Sequence, residues 1–121
     1  MEGKILIVDD AAFMRMMLRD TLKKNGYENI LEAADGEIAV QTYKQEKPVL
    51  VILDITMPNK NGLEALKEIK EFDPNARVVM CSAMGQESMV VDAIKSGAKD
   101  FIVKPFKSDR VLKTVESIIN Q

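Results

Sequence analysis

The chain has 121 residues, 46% hydrophobic and 30% charged, and its 17 basic and 19 acidic residues leave a formal net charge of -2. A chain of this size fits one domain, here taken as residues 1–121, and buries roughly two thirds of the surface exposed when unfolded. Its composition argues against disorder, its scattered charge leaves no electrostatic footprint for nucleic acid, and no apolar stretch approaches the ~20 residues that cross a bilayer. Cys81 has no second cysteine to pair with, and Met1-Glu2-Gly3-Lys4 leads straight into an apolar run without a signal-peptide pattern, which points to the cytoplasm. The chain contains no histidine. That removes the commonest general base and any phosphohistidine step of its own, so chemistry must rest on Asp, Lys, Ser or Thr.

In chain order, β-branched apolar runs at 4–8, 29–33, 49–53, 77–81 and 100–103 are each followed by a stretch of helical periodicity. Five such βα units predict an α/β fold with a parallel sheet between helices, joined by right-handed crossovers. Spacing alone leaves the strand order open. The first helix, about 11–24, carries Met14, Met17, Leu18, Thr21 and Leu22 as a packing stripe; Phe13 and Met16 beside it are either an exposed apolar edge for a partner or partly buried packing, and the second reading is favoured. The helix near 85–96 has Val90, Val91, Ala93 and Ile94, more apolar surface than one face needs; the surplus is either a docking surface or core packing, and core packing is the default reading. The last helix, about 108–119, is expected to use Ser108 as its N-cap, with Asp109 in its first turn and Val111, Leu112, Val115, Ile118 and Ile119 packing inward. Asn25-Gly26, Asp35-Gly36, Asn59-Lys60-Asn61-Gly62, Asp73-Pro74-Asn75 and Ser96-Gly97 mark the joints.

The chemistry lies at the strand ends, where open α/β sheets place their ligands. Ile5-Leu6-Ile7-Val8 stops on Asp9-Asp10, Val51-Ile52-Leu53 stops on Asp54, Ser82 follows the fourth strand and Lys104 the fifth. Three carboxylates gathered at one sheet edge repel one another unless a hard cation with oxygen ligands neutralises them. Asp54 is then a nucleophile toward phosphorus, with Mg²⁺ and Lys104 offsetting the charge. An anionic attacker needs positioning and neutralisation rather than a base. Asp10, Asp54 and one backbone carbonyl suffice for Mg²⁺, with Asp9 acting through water or an outer contact. Taken singly, each residue has a plainer reading: a helix cap for Asp9, Asp10 or Ser82, a turn for Asp54 before Met57-Pro58, a solvated lysine before Pro105. The agreement of five residues at four strand ends favours the shared site.

Val8-Asp9-Asp10, Leu53-Asp54-Ile55-Thr56-Met57-Pro58, Cys81-Ser82-Ala83 and Lys104-Pro105-Phe106 resemble the receiver domains of bacterial two-component systems. The resemblance covers the whole chain. With nothing after the fifth helix it looks like a stand-alone receiver, and Asp9-Asp10-Ala11-Ala12-Phe13-Met14-Arg15 and Cys81-Ser82-Ala83-Met84-Gly85-Gln86 are similar to chemotaxis receivers of the CheY type.

The resemblance implies a flavodoxin-like, doubly wound five-stranded parallel sheet in the order 2-1-3-4-5, helices on both faces, and a cis peptide before Pro105. It implies Asp54 as phosphoacceptor, Asp9 and Asp10 as the acidic pair for Mg²⁺, and the Thr56 backbone carbonyl as a further metal ligand. Ser82 is the hydroxyl that moves toward the phosphoryl group, Lys104 the cation that contacts it, and Phe101 an aromatic switch. Thr56 and Met84 flank the site and tune the phosphoryl lifetime. The implied protein is a monomeric signalling switch, not an enzyme, with autocatalysed phosphoryl acceptance and slow self-dephosphorylation. Its face of fourth helix, fifth strand and fifth helix changes on phosphorylation. The implied partners are a chemotaxis histidine kinase as donor, the flagellar motor switch protein as target and a phosphatase.

Three other readings stay open on sequence. A receiver of another two-component or phosphorelay pathway shares every motif. A haloacid-dehalogenase-type phosphohydrolase shares the strand-end aspartate but normally needs a larger chain with its metal-binding acids downstream. A flavodoxin needs a glycine- and hydroxyl-rich phosphate loop where Asp9-Asp10-Ala11-Ala12 stands.

Overall fold

The structure, a computed structural model, describes residues 3–120. Met1, Glu2 and Gln121, which the expected domain 1–121 takes in, lie outside the described residues. Five strands, β1 (Ile5–Val8), β2 (Ile30–Ala33), β3 (Leu50–Asp54), β4 (Val78–Ser82) and β5 (Asp100–Val103), alternate with α1 (Ala12–Lys24), α2 (Gly36–Glu46), α3 (Gly62–Phe72), α4 (Glu87–Lys95) and α5 (Ser108–Ile119). All four strand pairings are parallel and the sheet order is β2-β1-β3-β4-β5, as the family resemblance implies.

Strict alternation along each strand divides the apolar core between two faces. Leu6, Val8, Val51, Leu53, Val78 and Met80 pack with α2, α3 and α4 through Ala39, Val40, Tyr43, Leu66, Ile69 and Ala93. On the opposite face Ile5, Ile7, Leu50, Ile52, Val79, Cys81 and Ile102 meet Leu18 and Leu22 of α1 and Val111, Val115 and Ile118 of α5. Burial on both faces explains why these strands read as continuous apolar runs.

The helix starts follow the turn chemistry in two cases. Asp35 caps α2 by accepting from the Ile38 N–H at 2.8 Å. Asn61 and Glu64 form a reciprocal capping box on α3. The expected cap of α5 is displaced by one residue: Lys107 is the N-cap, Ser108 is the first helical residue, and no side chain caps that end.

Two packing expectations also change. Phe13 is 64% exposed and Met16 and Met17 are exposed as well, so α1 buries only Leu18 and Leu22 fully. A helix laid on the sheet beside α5 has room for a narrow contact line, and residues off that line turn outward. In α4, Val90 and Ala93 are buried while Val91 and Ile94 face solvent, so its surplus apolar surface is not core.

Candidate functional site

From β1 the chain crosses to β2 on one side of the sheet and later enters β3 on the other. The reversal opens a crevice beyond the carboxyl ends of β1 and β3. Asp9 and Asp10 follow β1 there and Asp54 is the last residue of β3. One carboxylate oxygen from each lies within 4.8 Å of the others, so the three can share one cation.

The backbone ladder fixes these strand ends. The Asp9 N–H donates to the Ala33 carbonyl at 3.2 Å, the Ile55 N–H to Cys81 at 3.1 Å and the Lys104 N–H to Ser82 at 2.8 Å. Asp9 is almost wholly buried and Asp54 nearly so, whereas Asp10 is exposed. The Asp9 Oδ1 atom also accepts from the Ala11 N–H at 2.9 Å, holding the turn into α1. Lys104 reaches across from the far side, its Nζ 2.8 Å from Asp9 Oδ2 and 3.2 Å from Asp54 Oδ1. The peptide joining Lys104 to Pro105 is cis, as the resemblance implies.

Burial raises the Asp54 carboxyl above the ordinary aspartate range, and the charges on Asp9 and Asp10 push the same way. Lys104 opposes the shift without cancelling it. For Lys104, burial alone acts downward, but its hydrogen bond to Asp9 and the nearby charges of Asp54 and Asp9 outweigh that and raise it. One ammonium therefore contacts two of the three clustered carboxyl groups, Asp9 and Asp54, and the three together leave excess negative charge at the site. An all-oxygen, carboxylate-rich set suits a hard divalent ion such as Mg²⁺.

The remaining expected residues surround this group. Ser82 ends β4, rather than following it, and is buried; it does not cap α4, whose N-cap is Gln86. Thr56 lies two residues beyond Asp54 with its side chain exposed. Phe101 is half-buried in β5 opposite Met80 in the strand register. It lines a cavity of about 540 Å³ with Ser82, Met84, Val91, Ile94 and Val103. That cavity connects the site end of β4 to the exposed apolar face of α4.

Three contributors escape sequence reading. Arg15 of α1 donates from Nη1 to the Asp9 carbonyl at 2.6 Å and from Nε to Glu32 at 3.0 Å, tying α1 and β2 to the acidic turn. Gln86 bridges the β4–α4 and β3–α3 loops. Gly62 packs so tightly on the end of β3 that a methyl group there would overlap the Asp54 carbonyl. Only the third left a sequence signal, the Asn61-Gly62 turn.

Comparison with known proteins places this geometry. The response regulator receiver domain model matches residues 5–116. The chain is 61% identical to the chemotaxis protein CheY of Bacillus subtilis over 99% of this chain and 100% of that protein. It is 57% identical to the chemotaxis protein CheY of Thermotoga maritima, with 98% of each covered. A chain of the CheX-CheY-BeF3-Mg+2 complex from Borrelia burgdorferi superposes with a TM-score of 0.92 at 45% identity, covering 98% of this chain and 90% of that one. The receiver domain of NtrX from Brucella abortus gives 0.92 at 38% identity, covering 97% and 98%. The chain belongs to the response regulator receiver domain family and is closely related, end to end, to the chemotaxis CheY proteins.

Proposed function

We propose that this receiver takes a phosphoryl group onto Asp54 from a chemotaxis histidine kinase and signals through its α4–β5–α5 face. The observation that carries the reading is Lys104 Nζ set between the buried carboxylates of Asp9 and Asp54 at the sheet's switch point. The Asp54 carboxylate attacks phosphorus, an O–P bond forms, and the bond to the leaving group breaks with its electron pair departing on that group. Asp9, Asp10, Asp54 and the Thr56 backbone carbonyl would hold Mg²⁺, which when bound offsets the charge of the phosphoryl oxygens. Lys104 adds a second positive charge beside the same oxygens, and Ser82 supplies a hydroxyl from the neighbouring strand end. Hydrolysis returns the site: water attacks phosphorus, the bond to Asp54 breaks, and phosphate leaves with the water's proton lost to solvent.

The signal follows from packing. Ser82 and Phe101 line one cavity, so a shift of Ser82 toward the new oxygens frees space for the Phe101 ring and alters the surface formed by Met84, Val91, Ile94 and Val103. Phe101 carries no hydroxyl, so its inward state is held by packing alone. The proposed target of that face is the flagellar motor switch protein, and a phosphatase resets the state. The CheX-CheY-BeF3-Mg+2 complex of Borrelia burgdorferi supports the Mg²⁺ assignment, and the binding of a second protein to the receiver, by likeness. The single domain 1–121 works as a cytoplasmic monomer; among the described residues no helix is long and apolar enough to cross a membrane.

Mass spectrometry after incubation with acetyl phosphate and Mg²⁺ tests the reading. The wild-type chain is expected to gain one phosphoryl group and Asp54→Asn none. Modification of the variant at the wild-type rate would remove Asp54 as the acceptor.

A further inference from the structure

The geometry points to Gln86 as a positioning residue that clasps the mouth of the site shut in the unmodified protein and must let go for phosphoryl acceptance. This rests on Asp54 being the acceptor. The Gln86 side chain joins two loops that flank the phosphoryl position. Its Oε1 accepts from the Ala83 N–H at 2.7 Å, and its Nε2 donates to Thr56 Oγ1 at 2.7 Å. The amide orientation follows from chemistry: a backbone N–H can only donate, so the oxygen must face Ala83 and the NH₂ must face Thr56.

Both partners adjoin residues of the reaction. Ala83 directly follows Ser82, and its N–H is the first backbone donor beyond the buried hydroxyl. Thr56 lies two residues after Asp54. Ser82 cannot shift without carrying Ala83 with it, and Ala83 is pinned through Gln86 to the far loop. Gln86 sits at the N-cap of α4 without capping it, its side chain turned to the loops instead of the helix end. Gly85, immediately before it, has φ +89 and open space around it, so the loop can pivot there with little steric resistance. A phosphoryl group on Asp54 brings new acceptor oxygens that compete with the Gln86 carbonyl for the Ala83 N–H.

A clasp present only before reaction slows the forward step and leaves the reverse step alone. Gln86→Met keeps the length of the side chain and removes its donor and its strong acceptor. The rate at which the phosphorylated mass appears, with acetyl phosphate and Mg²⁺ at concentrations below saturation, should rise roughly 2- to 10-fold, the net worth of one neutral hydrogen bond. The decay of the phosphorylated form after removal of donor should stay at the wild-type rate. Gln86→Leu should behave in the same way, which separates the lost hydrogen bonds from any effect of the thioether. A merely structural role would lower the urea midpoint and leave the acceptance rate unchanged. An acceptance rate equal to or below wild type overturns the clasp, and so does an equal acceleration of decay. Absence of modification in the wild type would instead overturn Asp54 as acceptor, so the two failures are distinct.

Discussion

Lys104 donates to Asp9 at 2.8 Å, closer than its 3.2 Å approach to Asp54, and so joins the end of β5 to the turn after β1 across 95 positions of sequence. Its nearer partner is therefore the buried Asp9 and not Asp54. The Asp9 side chain is 2% exposed, and a carboxylate that deep needs a cation or donors around it. Lys104→Ala should lower stability in metal-free buffer by about 1–3 kcal/mol, the cost of leaving a buried polar group short of its partner. Urea denaturation checks this, and saturating Mg²⁺ should recover part of the loss because a divalent ion serves the same carboxylates.

Asp54 is expected to weaken the fold that holds it. Burial first, and then the charge of Asp9, raise its carboxyl. A raised acid binds its proton more tightly when folded, so its contribution to stability is fullest in acid and declines as pH rises through the folded value. Near neutrality the ionised Asp54 is a net cost. Asp54→Asn should therefore raise the thermal midpoint by a few degrees in EDTA at neutral pH. The gain should shrink in Mg²⁺ and toward acid pH, readings that differential scanning calorimetry supplies.

The strand-end acids and Ser82 were legible because each closes an apolar run buried on both faces, and Lys104 because it follows the apolar residues of the edge strand β5, where only Ile102 is fully buried. The exposure of Phe13 and Met16 was one of two readings the spacing allowed, and not the favoured one. Helical spacing shows which residues share a stripe, but how wide a stripe the sheet accepts depends on where α5 lies beside α1. Gln86 and Arg15 were hidden for a similar reason. Their distant partners, Thr56 for Gln86 and Glu32 for Arg15, come within reach only through the parallel crossovers, while Ala83 and Asp9 are near neighbours in the chain. The cap of α5 falls one residue earlier than expected, at Lys107, whose extended backbone (φ -103, ψ 132) marks the boundary.

Glu32 anchors α1 against β2 through Arg15 at 3.0 Å and Arg19 at 2.7 Å. Partial burial acts to raise its carboxyl, but the hydrogen bonds and charges of Arg19 and Arg15 outweigh this and hold it below the ordinary range. A lowered acid contributes stability above its unfolded pKa and loses it as pH falls through the folded one. Glu32→Gln should cost roughly 0.5–1 kcal/mol near neutrality, the upper range for exposed pairs. The difference from wild type should be smaller at about pH 3, below the ordinary glutamate range. Parallel urea titrations at the two pH values give the comparison.

Gly62 tests whether the turn after β3 positions Asp54, the proposed acceptor. Its N–H donates to the Ile55 carbonyl at 2.7 Å, folding the start of α3 back onto the strand end. An added methyl would meet the Asp54 carbonyl oxygen and the Ile55 backbone, neither of which can rotate away as a flexible side chain would. Gly62→Ala should cost about 1–3 kcal/mol as overpacking, and the displaced backbone should also slow modification of Asp54 by acetyl phosphate. Gly26→Ala provides the contrast. That position has φ +94 with nothing near the added carbon. Its cost should be only the roughly 1–2 kcal/mol of a left-handed alanine, with the rate of Asp54 modification unchanged. If the two variants lose equal stability but only Gly62→Ala loses modification, the close approach at Asp54 is what holds the acceptor in place.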